Sequence, residues 1–284
     1  MKKLLSFLLL SVLVLALAAC GSKEDSNSST DEGTNEDQKE KVTLKVGASH
    51  TPHAVILEKA KPILAKEGID LEIEEYQDYV LPNEDLNNGD LDANYFQHIP
   101  FLEQKVEEEG YDIVNAGGIH IEPIGIYSKK YKSLDELPDG ATILISNSIP
   151  DHGRILSLLE TQGLIKLKDG IDKTKATLED IVENPKNLKI EATDAPEMMV
   201  TYYENEEGDA VVINSNFAID AGINPIEDSI AIEGSESPYV NIIAVRSGDE
   251  NREEIKKLVE VLRSKEIQDF ILQEWGGSVV PVSE

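Results

Sequence analysis

Strand-like and helix-like segments alternate through most of the 284 residues, which predicts an α/β protein with helices on both faces of mostly parallel sheets. Two further observations divide that expectation into two lobes. A chain of this length exceeds what one core usually serves, and 40% hydrophobic residues are enough to fill two. The signals also pause over an extended segment, 121–128, and restart near residue 141, which sets an expected boundary near Gly125.

The first residues are of another kind. Lys2 and Lys3 precede an apolar run over residues 4–19 broken by Ser6 and Ser11, the charged and apolar regions of an export signal. The run ends in Leu17-Ala18-Ala19-Cys20, which resembles the bacterial lipobox. Cleavage would remove residues 1–19 and leave Cys20, the only cysteine, as a lipidated N-terminus. With a single cysteine, no disulfide can form within the chain. Residues 21–41 contain no hydrophobic residue and cannot bury apolar surface, so 20–41 are expected to be the lipidated cysteine and a disordered tether. By the flexible-coil relation its ends lie on the order of 25 Å apart.

In the first lobe, residues 42–48 alternate as a strand, and Thr51-Pro52 supplies a helix N-cap followed by proline. Ile56, Ala60, Ile63 and Leu64 share the apolar face of that helix, and Gly68 follows its end. A strand at 71–75, a helix carrying Leu86, a strand at 91–95, a helix at 100–109 and a strand at 111–116 continue the rhythm. Ligands of such sheets lie beyond the carboxyl ends of strands, where Ser49, Tyr79 and Phe96 to His98 are expected. Tyr95, Phe96, His98 and Phe101 fall close together in a chain only 5% aromatic; they are either a polarisable pocket wall or ordinary core beneath the next helix.

In the second lobe, a strand at 141–146 runs into Asn147-Ser148-Ile149-Pro150-Asp151-His152-Gly153-Arg154 and a helix carrying Ile155, Leu158 and Leu159, with Gly163 as its stop. Asp151 is the expected N-cap, which places Arg154 in the first turn. A cation there opposes the helix dipole, and it suits a carboxylate ligand or is a plain surface arginine. Asp194 and Glu197 form an expected capping box, and a strand at 209–213 ends at Asn214-Ser215-Asn216. A strand at 239–246 returns the chain to the first lobe, and two amphipathic helices close the sequence.

Charge narrows the partners. Net charge is −29, with no Lys/Arg run, so phosphate backbones and anionic lipid surfaces are excluded as charge partners. Membrane association would run through the lipid on Cys20.

The order DYVLPN, DANYFQHIPFLE, Gly-Arg before a helix, NPKNLKI, INSN and PYVN resembles the methionine-binding lipoproteins that serve bacterial ABC importers, over residues 42–284 and the lipobox. That resemblance implies a two-lobed fold of the periplasmic-binding-protein kind (type II-like). Lobe 1 would be 42–125 with 242–284 and lobe 2 would be 126–241, joined by crossovers at 124–128 and 241–245. It implies that Tyr79, Phe96 and His98 surround a methionine side chain, that Arg154 binds its carboxylate, and that Asn214 and Asn241 hold its amino and carboxylate groups. The implied partners are methionine, an importer permease and the membrane, for a monomer without cofactor or metal. Two positions depart from the commonest pattern. Phe101 replaces a tyrosine, which removes a hydroxyl, and the loop before Arg154 carries Asp151, a carboxylate that would favour an amino group or a dipeptide terminus.

Other classes remain as contrasts. Catalysis would need a nucleophile or acid/base motif such as GxSxG or HExxH, and neither is present. Metal binding would draw on His50, His53, His98, His120 and His152, none of which pair at HxH or HxxxH spacing. An adhesive lipoprotein would share the anchor without needing Arg154 and Asn214 at strand-to-helix turns.

Overall fold

The computed structural model describes residues 41–282. The export signal, Cys20 and all of the tether but its last residue lie outside that range.

The chain begins with β1 (Val42–Ser49), α1 (Val55–Lys66), β2 (Ile69–Tyr76), α2 (Leu81–Asn88), β3 (Ala93–His98), α3 (Ile99–Glu109) and β4 (Ile113–Ile121). It continues with β5 (Gly125–Tyr127), β6 (Thr142–Ile145), α4 (Ile149–Thr161), β7 (Lys166–Leu167), β8 (Ile181–Glu183), β9 (Lys189–Ala192), α5 (Met199–Glu204), β10 (Ala210–Ile213), α6 (Ser215–Asp220) and β11 (Ser229–Ile232). The last part is β12 (Val240–Arg246), α7 (Glu253–Leu262), α8 (Lys265–Trp275) and β13 (Val280–Pro281). Two main sheets result, ordered β13-β4-β12-β3-β1-β2 and β11-β5-β10-β6-β9, with β7-β8 as a small third.

The central strands β10 and β12 are covered on both faces, which explains why they read as nearly continuous apolar runs. In β12, Ile243 and Val245 enter one core with Leu44, Ile56 and Leu258, while Ile242 and Ala244 enter another with Leu86 and Leu102. In β10, Ala210 and Val212 face Ile143 and Ile155, and Val211 and Ile213 face Met199 and Tyr127. The two-residue period of a strand distributes side chains between the two cores.

Parallel pairing is found where a helix separates the strands: β1 with β2 and β3, and β6 with β9 and β10. The rest is antiparallel, β12 to β3 and β4, β13 to β4, and β5 to β10 and β11. The sheets are therefore mixed rather than mostly parallel. Parallel neighbours need a crossover connection, whereas β5 and β12 arrive directly from the opposite sheet. The chain changes sheets between Ile121 and Gly125 and again between Ile232 and Val240. Residues 241–245, expected as the second crossover, lie inside β12, because their β-branched run is paired on both edges.

Helix starts differ in detail. Ser148 is the N-cap of α4, and Pro150 occupies its first turn. Asp151 is thereby inside the helix and Arg154 lies beyond the first turn; proline's fixed φ draws the start upstream. The Asp194–Glu197 capping box does not form. Ala195 is the N-cap there, and the Asp194 carboxylate accepts the Tyr202 hydroxyl instead. Gly68 and Gly163 follow α1 and α4 at φ +84° and +74°, the left-handed conformation that ends a helix at glycine. Among the described residues, no helix is long and apolar enough to cross a membrane.

Candidate ligand cavity

A narrow cavity lies between the two sheets. Tyr79, Phe96, His98, Arg154, Asn214 and Asn241 all line it, joined by Phe101, Glu122, Asp151 and Asn216.

One wall is aromatic. Asp78 Oδ1 accepts the Val80 and Leu81 N–H groups at 2.7 and 2.8 Å, a turn that sets the loop carrying Tyr79. Phe96 leaves the carboxyl end of β3, and Phe101 stands in the first turn of α3. The Tyr79 ring lies 5.9 Å from Phe96, 5.9 Å from Phe101 and 5.1 Å from Phe217 of α6, in tilted or edge-on contacts. Its hydroxyl donates to Asn216 Oδ1 at 2.6 Å, so residues from both sheets meet at this wall. Behind β3, the Asn83, Asn94 and Gln97 amides bond one another at 2.7 to 3.0 Å, a buried network whose members satisfy each other.

The opposite side is polar. His98 Nδ1 accepts the Phe101 N–H at 3.1 Å, which assigns the proton to Nε2, and Nε2–H donates to Asp151 Oδ1 at 3.0 Å. Asp151 is 1% exposed and is also met by Asn214 Nδ2 at 3.4 Å and Arg154 Nη1 at 3.7 Å. Burial raises its carboxyl, but the His98 bond together with the Arg154 charge outweighs that and holds it at about 2.

Arg154 is reached through Gly153. A Cβ on Gly153 would lie 2.4 Å from the Lys173 carbonyl oxygen, so glycine lets α4 pack against that loop. The guanidinium donates from Nε to Glu233 Oε2 at 3.1 Å, from Nη2 to the same carboxylate, and from Nη2 to the Glu122 carbonyl at 2.6 Å. It stacks 4.7 Å over Tyr239. The fork on the Nε side is thus engaged by Glu233, and Nη1 is the edge turned toward Asp151 and the cavity.

A second polar cluster backs the cavity. His53 Nε2 lies 3.0 Å from Asn241 Oδ1 and 3.2 Å from Glu122 Oε1; His120 Nε2 lies 2.7 Å from the same Glu122 oxygen. Tyr95 Oη meets His120 Nδ1. Burial lowers His53 to about 4 and His120 to about 3, so both are neutral near pH 7, and burial pushes the Glu122 carboxyl up against the opposing pull of His53 and Arg154. These three side chains bring donor atoms within 4.8 Å of one another, a spacing that could hold a metal ion, although here they bond one another.

His50 pairs with Glu75 at the surface and His152 bonds the Ser146 carbonyl at 3.0 Å, so neither joins the cluster. Glu122 and Phe217 escaped sequence reasoning, whereas Asn216 belongs to the asparagine run at the end of the 209–213 strand, which the sequence marks as suited to an amino-acid ligand. A signal existed for Glu122: two residues apart in an extended chain, His120 and Glu122 share a face. Phe217 adjoins the asparagine run and carried no signal of its own.

The chain matches the family described as NlpA lipoprotein over residues 44–283. It is 48% identical over 286 residues to the methionine-binding lipoprotein MetQ of Bacillus subtilis strain 168, covering 100% of both chains. A solved Enterococcus faecalis structure, described as a pheromone cOB1 precursor/lipoprotein of the YaeC family, is 60% identical with a TM-score of 0.83, over 84% of this chain and 100% of that one. A nutrient binding protein from Burkholderia cenocepacia, solved bound to methionine, is 43% identical with a TM-score of 0.79, over 84% of this chain and 100% of that one. On this extent of matching, the chain belongs to the NlpA lipoprotein family.

Proposed function

We propose that this protein captures methionine between its two lobes and hands it to an ABC importer while anchored to the outer face of the cell membrane through Cys20. The observation that carries the reading is the pairing, in one cavity, of an aromatic wall with a buried guanidinium and amide groups. An aromatic wall suits a thioether, whose sulfur gains about 0.3 to 1.5 kcal/mol against a ring edge. Arg154 Nη1 suits the carboxylate, and Asn214 and Asn241 suit the remaining polar atoms of an amino acid. The relatives named as methionine binders, and the one solved with methionine, support the same ligand.

The lobes are read as 42–125 with 242–284 and 126–241, and bonds that cross between them, among them Tyr79–Asn216 and His98–Asp151, fit a closed state. Binding and release, rather than catalysis, are the chemistry we assign. Calorimetry tests the ligand directly. Methionine should bind at one site per chain, and more tightly than leucine, glutamate or lysine. Selenomethionine should bind well and norleucine weakly, although an apolar pocket separates near-isosteres by only about 1 to 3 kcal/mol. A larger thermal shift with a charged amino acid or a metal would overturn the assignment.

A further inference from the structure

Arg154 is tied to both segments on which the chain changes sheets. Its Nη2 donates to the Glu122 carbonyl on the first at 2.6 Å, and Nε and Nη2 both donate to Glu233 Oε2 on the second. Glu233 in turn clamps the two segments together: its N–H donates to the Ile124 carbonyl at 2.9 Å, and its Oε2 accepts the Ile124 N–H at 3.2 Å. The other oxygen, Oε1, accepts the Ser237 hydroxyl at 2.8 Å. That hydroxyl oxygen accepts the Tyr239 N–H at 3.2 Å, and the Tyr239 ring lies 4.7 Å from the guanidinium. Both oxygens of Glu233 are therefore committed, and its side chain is 13% exposed. It stands outside the set of residues lining the ligand cavity, in a second hollow shared with Arg154, Ser237 and Tyr239.

We propose that Glu233 is a positioning residue that sets the preference of the site for a carboxylate: it fixes the plane of Arg154 against both segments, so that Nη1 faces the ligand. An unheld arginine side chain has many rotamers, and binding must freeze them out; a guanidinium already held along its Nε edge and over its face is ordered before the ligand arrives. The charge of Glu233 acts in the opposite direction. A carboxylate beside the guanidinium weakens its pull on a second anion. Removing the reach of Glu233 and removing its charge should therefore have opposite effects on carboxylate binding. This deepens the amino-acid reading above and rests on it for the ligand, but it needs only a carboxylate at Nη1.

The test is calorimetry on the folded, unlipidated chain with methionine and methioninol, which share the side chain and the ammonium and differ at the carboxylate. Wild type should prefer methionine by about a hundredfold or more. Glu233→Asp keeps the charge but draws the oxygens back by one methylene. It should cut that preference about tenfold or more, the loss expected when a charge-assisted hydrogen bond is no longer aimed, while changing affinity for methioninol by less than about threefold. Glu233→Gln keeps the reach, with its carbonyl oxygen for Arg154 and Ile124 and its amide for the Ser237 hydroxyl; it should hold the preference at or above that of wild type. Equal weakening of both ligands in the Asp variant would reduce Glu233 to a structural residue and overturn the proposal, as would an Asp variant that keeps the preference. A Gln variant that loses it would overturn the proposal too, since charge rather than aim would then be at work. So would a wild type that binds methioninol within about threefold of methionine. If wild type binds neither ligand, the methionine reading fails by itself. The amino acid giving the largest thermal shift and its amino-alcohol counterpart then judge Glu233 by the same ratio. Should Glu233→Asp not fold, Ser237→Ala, which frees Oε1, takes its place with an expected loss of preference of about threefold or more.

Discussion

Replacing Arg154 by alanine is the most discriminating perturbation of the cavity. The side chain is 4% exposed, donates to Glu233 and to the Glu122 carbonyl, and stands 3.7 Å from Asp151. Removing it strands two carboxylates that now share its charge. Breaking a buried pair from one side costs roughly 3 to 5 kcal/mol. That loss falls on folding as well as on binding, because Glu233 also accepts the Ile124 N–H at 3.2 Å and so links both segments that change sheets. Arg154→Ala should therefore lower the urea midpoint and weaken methionine binding by about a hundredfold or more. Arg154→Lys restores charge but not the planar fork that Glu233 holds through Nε and Nη2. It should recover much of the stability and only part of the affinity. Calorimetry gives the affinity, and small-angle scattering reports whether methionine compacts each variant. An alanine variant that binds methionine as wild type does would show that the ligand carboxylate is held elsewhere.

Gly153→Ala should destabilise by about 1 to 3 kcal/mol in urea titration, since the added methyl meets the backbone carbonyl of Lys173 and neither segment can yield cheaply; unchanged stability would contradict that packing. His53 and His120 should make the fold acid-sensitive. Their folded pKa values, about 4 and about 3, lie below the unfolded value near 6.5, so the unfolded state binds more protons between those limits. The stability they permit is complete above about pH 6.5 and falls as pH drops toward 4, at up to about 1.4 kcal/mol per unit for each histidine. A flat urea midpoint from pH 7 to 4.5 would refute this. Cys20→Ser should release the protein from the membrane fraction; retention in detergent extracts alone would remove the lipid-anchor reading.

What the sequence made legible follows from how far apart the cooperating residues stand. Tyr79, Phe96 and His98 sit at or near strand ends within one βαβ stretch, and an α/β sheet gathers its strand ends at one rim, so their convergence could be expected before any coordinates. Arg154 could be placed at the same rim, but not its hydrogen bonds. Glu233 lies 79 residues further on in a segment with no periodic signal, and only the crossing of two extended segments brings it to the guanidinium. Local reading also misjudged Asp151. An acidic residue before a helical run looks like an N-cap, yet Pro150 fits the first turn and moved the start to Ser148, which turned the carboxylate inward against His98. That shift changes the chemistry of the site: a cap carboxylate would have spent itself on backbone N–H groups, whereas the buried one meets His98 and Arg154 at the cavity wall.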